Sequence, residues 1–125
     1  MSTQDTLARH LQALTGGIDA IMRDYTESSV LFTQQGPLTG LESIRAFFAG
    51  FLADSPPELL AAFTLLRQDV AGEVAYILWK AEPYIPLATD TFVIRDGRIL
   101  VQTFAAFVPA PATEDGAVRA SVGAA

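Results

Sequence analysis

In the first fifty residues apolar side chains recur at intervals of three and four; beyond residue 60 they recur mostly at every second position. Leu7, Leu11 and Leu14 share one helical face, which predicts a helix over residues 3–15 that stops at Gly16-Gly17. His10 follows Leu7 by three positions and precedes Leu14 by four, so it lies on that apolar face while Arg9 points away from it. A second, shorter helix is expected over residues 18–25, with Ile18, Ile21, Met22 and Tyr25 on one side. Val30-Leu31-Phe32-Thr33 reads as a strand and Gly36-Pro37 as a turn. Thr39-Gly40-Leu41-Glu42 has the spacing of a capping box. The helix it opens carries Leu41, Ile44, Phe48, Phe51 and Leu52 on one face and ends at Asp54-Ser55-Pro56-Pro57.

Long strands are expected afterwards, over residues 60–70, 73–82 and 87–108, the last broken by a turn at Asp96-Gly97. Helices first and strands later is the α+β pattern with a mostly antiparallel sheet. Residues 1–108 form a single domain in this reading. Residues 109–125, rich in Ala, Pro and Gly and without periodicity, read as a flexible tail.

Within the strands, Asp90 breaks the pattern, because its neighbours of the same parity are Ala88, Phe92 and Ile94. A carboxylate on an apolar face must be paired, protonated or exposed in a cavity. What it faces depends on the turn. A two-residue loop at Asp96-Gly97 sets Arg95 against Arg98 and Asp90 against Thr103; a three-residue loop that includes Arg95 sets Asp90 against Gln102. The second register places Ala88, Phe92 and Ile94 beside Leu100, Phe104 and Ala106 and separates the two arginines, so it is the one expected. On the preceding strand Trp79 is in phase with Ala75, Ile77 and Ala81, small neighbours that leave room for a pocket wall. Lys80 has the opposite parity and is expected in solvent.

Composition narrows the chemistry. Half of the 125 residues are hydrophobic and 18% charged, which argues for a packed core rather than disorder. The net charge of −6, with eight scattered basic side chains, disfavours nucleic acid. No cysteine and a single histidine exclude disulfides and Cys- or His-rich metal sites. No Gly-rich phosphate loop, Schiff-base lysine set or ligand cluster is present, so neither a cofactor nor a metal is expected. No apolar run reaches the roughly 18 residues needed to cross a bilayer, so no membrane partner is expected. Met-Ser-Thr-Gln-Asp has no basic start and no apolar segment after it, which points to a cytoplasmic protein.

The element order, together with Asp24-Tyr25, the segment Gly40-Leu41-Glu42-Ser43-Ile44-Arg45-Ala46-Phe47-Phe48 and the stretch from Thr89-Asp90-Thr91-Phe92 to Asp96-Gly97-Arg98-Ile99, resembles the SnoaL-like branch of the nuclear transport factor 2-like superfamily over roughly residues 4–108. The resemblance implies a strongly curved sheet wrapped on its concave side by the three N-terminal helices. It also implies a cone with a small-molecule pocket, and commonly a homodimer through the sheet. The superfamily includes ketosteroid isomerases, polyketide cyclases, epoxide hydrolases and dehydratases beside many domains with no known reaction. By motif position Asp90 matches the isomerase aspartate that hydrogen-bonds the oxyanion. The isomerase base falls by similarity near Thr33, which Gln34 and Gln35 follow, and its tyrosine near Arg9 and His10, where no tyrosine stands. The steroid mechanism therefore does not carry over.

Three functions stay open. The first is a domain binding a small, largely apolar molecule, with Trp79, Gln102, Phe104, Phe92, Tyr25 and Thr33 as ligand-contacting candidates. The second is an acid/base enzyme of isomerase, cyclase, hydrolase or dehydratase type in which Asp90 orients His10 and raises its basicity. The third is a non-catalytic homodimerisation module that uses the outward face carrying Val93, Val101, Ala105, Thr89, Thr91 and Thr103. Tyr25 is expected to anchor the core with its hydroxyl at the rim.

Overall fold

A computed structural model describes residues 1–109; the tail expected from 109 onward lies, from residue 110, outside the described residues. Helix α1 (Thr3–Ala13) opens on a capping box of Ser2 and Asp5 and buries Thr6, Leu7, His10 and Ala13. The Thr3 hydroxyl donates to the Gly72 carbonyl at 2.8 Å, pinning the helix to the sheet. Helix α2 (Ile18–Met22) starts after Gly17, whose φ of 93° needs a residue without a Cβ. It ends three residues earlier than expected. Tyr25 opens β1 (Tyr25–Thr33) instead of closing the helix. Gly36-Pro37, expected as a turn, lies within β2 (Gly36–Thr39), which pairs with β1 around Gln34-Gln35.

Helix α3 (Gly40–Asp54) buries Ile44 and Phe48, but the expected capping box is not formed. The chain enters through a left-handed Gly40, Thr39 makes no side-chain cap bond, and Glu27 of β1 accepts from the Leu41 amide at 3.1 Å. A fourth short helix, α4 (Pro57–Ala61), occupies the start of the stretch read as strand. Pro near its start and Glu58 in its first turn are ordinary helix-opening signals.

The strands β3 (Phe63–Ala71), β4 (Val74–Ala81), β5 (Ile85–Arg95) and β6 (Arg98–Phe107) complete a curved six-stranded sheet of order β2-β1-β6-β5-β4-β3, antiparallel except at β1 with β6. The expected three-residue loop between β5 and β6 is overturned. Asp96 and Gly97 both have positive φ, 52° and 74°, forming a two-residue turn that sets Arg95 opposite Arg98. A bulge then intervenes, since Ile94 pairs with Ile99 but Val93 with Val101, leaving Leu100 as the extra residue. Asp90 thus lies opposite Phe104 and Phe92 opposite Gln102. The two arginines tolerate each other because Arg95 is held by Glu73. The concave face packs against the helices around Leu7, Ile21, Ile44, Ile77, Phe92 and Ile94.

Candidate functional site

Among the described residues, six polar or charged side chains are buried besides the core tyrosine Tyr25: Thr6, His10, Asp24, Ser29, Asp90 and Gln102. Four of them, His10, Asp24, Asp90 and Gln102, form one hydrogen-bonded chain with Arg9, Tyr25 and Trp79, and Asp24 is the carboxylate in it that the sequence reading did not place among the site residues. Asp24, at 1% exposure, receives Arg9 Nε at 2.9 Å on one oxygen and lies 3.0 Å from His10 Nδ1 on the other. The expected partnership of His10 with Asp90 is therefore corrected: the imidazole is oriented by Asp24. An ion-paired carboxylate only accepts, so Nδ1 carries a hydrogen and Nε2 is turned toward Tyr25. The Tyr25 hydroxyl stands 3.5 Å from Nε2 and donates to Gln102 Oε1. It is buried beneath the site and not at its rim. Gln102 Nε2 donates to Asp90 Oδ2 at 2.8 Å, and the Trp79 indole donates to Asp90 Oδ1 at 2.8 Å. Among the described residues, no buried side-chain nitrogen or oxygen lacks a partner.

Burial raises the Asp90 carboxyl above the ordinary aspartate range, and the Trp79 and Gln102 donors and the nearby His10 pull it partly back. Burial, then the charges of Asp90 and Asp24, push the Tyr25 phenol well above its usual value, so it stays protonated. Tyr25 has one proton to donate, and this couples the two ends of the chain. With Asp90 ionised, the Gln102 amide donates to it, Tyr25 donates to Gln102, and only the Tyr25 lone pairs face His10, which suits an Nε2–H donor. With Asp90 protonated, its hydroxyl donates to a flipped Gln102 amide, Gln102 donates to Tyr25, and Tyr25 donates to the Nε2 lone pair. The two polarities hold the same number of protons, one on His10 or one on Asp90.

His10, Asp90 and Gln102 reach a cavity of about 60 Å³, with Phe63, Trp79, Phe92 and Phe104 on the sheet side and Phe47, Phe51 and Leu60 on the helix side. Trp79 stacks on Phe104 with centroids 6.3 Å apart and planes 17° apart, and Phe63 packs on it at a 35° tilt with centroids 5.0 Å apart. Thr33, a candidate by position, is not brought to this cavity. Its hydroxyl donates to the Gly36 carbonyl at 2.9 Å and belongs to the β1–β2 turn. Lys80 pairs with Glu82 at 2.7 Å, away from the site.

No family model matches the sequence, and no curated protein matches it. Solved structures do. A protein of unknown function from Burkholderia xenovorans, described as NTF-2 like, shares 19% identity and a TM-score of 0.69 over 89% of this chain and 87% of its own. The chain has the nuclear transport factor 2-like fold. A SnoaL-like protein of unknown function from Burkholderia thailandensis is 16% identical, with a TM-score of 0.67 over 83% of this chain and 93% of its own. A de novo designed protein with a curved sheet reaches the same TM-score at 10% identity over 98% of this chain and 93% of its own. A designed sequence and natural ones thus share this chain's architecture at 10–19% identity, and function has to be read from its own side chains.

Proposed function

We propose that the domain binds a small, largely apolar molecule carrying one hydrogen-bonding group, its apolar part between Trp79, Phe104 and Phe51 and its polar group against Asp90, Gln102 and His10. The observation that carries this reading is an apolar cavity whose polar groups converge on a single side. At about 60 Å³ the cavity, partly open to solvent, has room for only a few waters, so a larger ligand enters by displacing some of the side chains that line it. Trp79 is the chain's single tryptophan and touches Asp90, so its fluorescence reports occupancy. Titration with cyclohexanone should give a saturable change and cyclohexane a much weaker one. No saturation with the ketone, or equal affinity for both, would remove the proposal.

The Asp24–His10 pair and the raised Asp90 favour a second reading, acid/base chemistry at this cavity. A buried acid and an imidazole that share a proton through Gln102 and Tyr25 can remove a proton from a bound ketone and return it elsewhere. Exchange of cyclohexanone α-hydrogens in deuterated water, followed by NMR, should exceed the buffer rate and drop in His10→Gln and Asp90→Asn. Exchange at the buffer rate would reject catalysis while leaving binding intact.

Self-association through the convex face is the third element of the proposal. Val30, Val101, Val93 and Val74 form one row across four strands, and Phe32 and Leu87 are exposed on the same sheet. A second copy of this chain would cover them. Sedimentation equilibrium should show a dimer at micromolar concentration and a monomer for Val93→Lys.

A further inference from the structure

A second cleft, open and of about 1,030 Å³, lies between α1, α2 and α3 on the far side of the His10–Asp24 pair. Four of the chain's eight basic side chains line it, Arg9, Arg23, Arg45 and Arg98, against the two acids Asp24 and Glu42. The lining therefore carries +2 in a chain of net charge −6, which leaves −8 on everything else. Ion pairing sharpens the contrast. Among the described residues Arg9, Arg45, Arg67, Lys80 and Arg95 each contact a carboxylate, whereas Arg23 and Arg98 do not. Both unpaired guanidinium groups line this cleft, and both are exposed. The one side-chain bond of Arg98 goes to the neighbouring Gly97 carbonyl at 3.2 Å.

A protein with an excess of carboxylates has partners available for every arginine, and two arginines left unpaired on one concave surface are free to serve an external anion. Planar guanidinium groups suit phosphate or carboxylate oxygens, which accept two parallel N–H bonds each. Local positive charge in an otherwise acidic surface also draws an anion to this place alone. We infer that the cleft is a binding site for a small polyanion, a phosphate-bearing or polycarboxylate molecule held by Arg23 and Arg98. The site adjoins the apolar cavity without being part of it. Asp24 stands in the wall between them, bonded to Arg9 on the cleft side and to His10 on the cavity side.

The probes are inorganic pyrophosphate and citrate, titrated by calorimetry at constant ionic strength, which separate the phosphate and carboxylate sources. At least one should bind saturably. The Arg23→Gln/Arg98→Gln double variant should weaken that binding by about tenfold or more. Arg67→Gln/Arg95→Gln, equally exposed on the sheet, should leave it unchanged. The ring signals of the chain's one histidine should shift with the same midpoint, because His10 shares Asp24 with the cleft. Saturable binding by neither probe overturns the proposal. So does equal loss in both double variants, or binding that leaves the His10 signals still. All four substituted arginines are exposed, and unchanged urea midpoints for the variants keep the result interpretable.

Discussion

Asp24 and Asp90 are both buried carboxylates at the two ends of one hydrogen-bonded chain, yet they are held by different chemistry. Asp24 meets a guanidinium and an imidazole; Asp90 meets an indole and an amide, neither of which carries charge. Neutral donors offset less of the cost of burying a charge, so burial lifts the proton affinity of Asp90 and the carboxyl becomes exchangeable. The first carboxylate fixes an orientation and the second is poised to change its protonation. A single fold thus builds an anchor and an acid from the same residue type.

That contrast can be broken most directly by deletion. Asp24→Ala leaves Arg9 and a buried His10 without their carboxylate and should cost about 3–5 kcal/mol in urea unfolding. Asp90→Ala strands only the Trp79 and Gln102 donors and should cost about 1–3 kcal/mol; a larger loss there than at Asp24 would reverse the assignment of anchor and acid. The pH profile tests the same difference. Because the folded-state pKa of Asp90 is raised, the native protein keeps a proton that the unfolded chain has released. Stability attributable to Asp90 therefore falls as pH rises from the ordinary aspartate range through its raised value, and is level beyond it. Asp90→Asn should flatten that decline in urea midpoints measured across acidic to neutral pH. Tyr25→Phe cuts the link between the two ends and should cost about 1 kcal/mol, read from urea midpoints. Smallest of all, Arg45→Gln breaks an Arg–Asp contact shorter than that of Arg9, 2.7 Å against 2.9 Å, but at the surface, and should change stability by no more than about 0.5 kcal/mol.

Facing directions were legible in the sequence because helices and strands have fixed periods. His10 and Asp90 each stood on an apolar face, and each is buried. Partners were not legible. Asp24 escaped because the apolar spacing of Ile18, Ile21 and Met22 runs on through Tyr25, although Tyr25, Thr26 and the alternation from Val30 to Thr33 already favour a strand. Once Tyr25 opens β1, the preceding residue lies under α1 and meets His10. The register at Asp90 was missed for a different reason. Turn chemistry at Asp96-Gly97 pointed to a two-residue loop and burial pointed to another pairing; the bulge at Leu100 satisfies both, and no residue type announces it. The helix at Pro57–Ala61 was signalled by its own opening residues and lost to the apolar run that follows.

The bulge carries a genetic corollary. A one-codon deletion inside a regular strand exchanges the faces of every residue after it. Removing Leu100 would not, because Ile99 already pairs with Ile94 on the inner face and Val101 with Val93 on the outer one, so taking out the extra residue closes the bulge into regular pleat. Gln102 would still turn inward to Asp90, and Thr103 outward. An in-frame deletion that would scramble a regular strand is, at the bulge, one that the acid keeps its amide donor through.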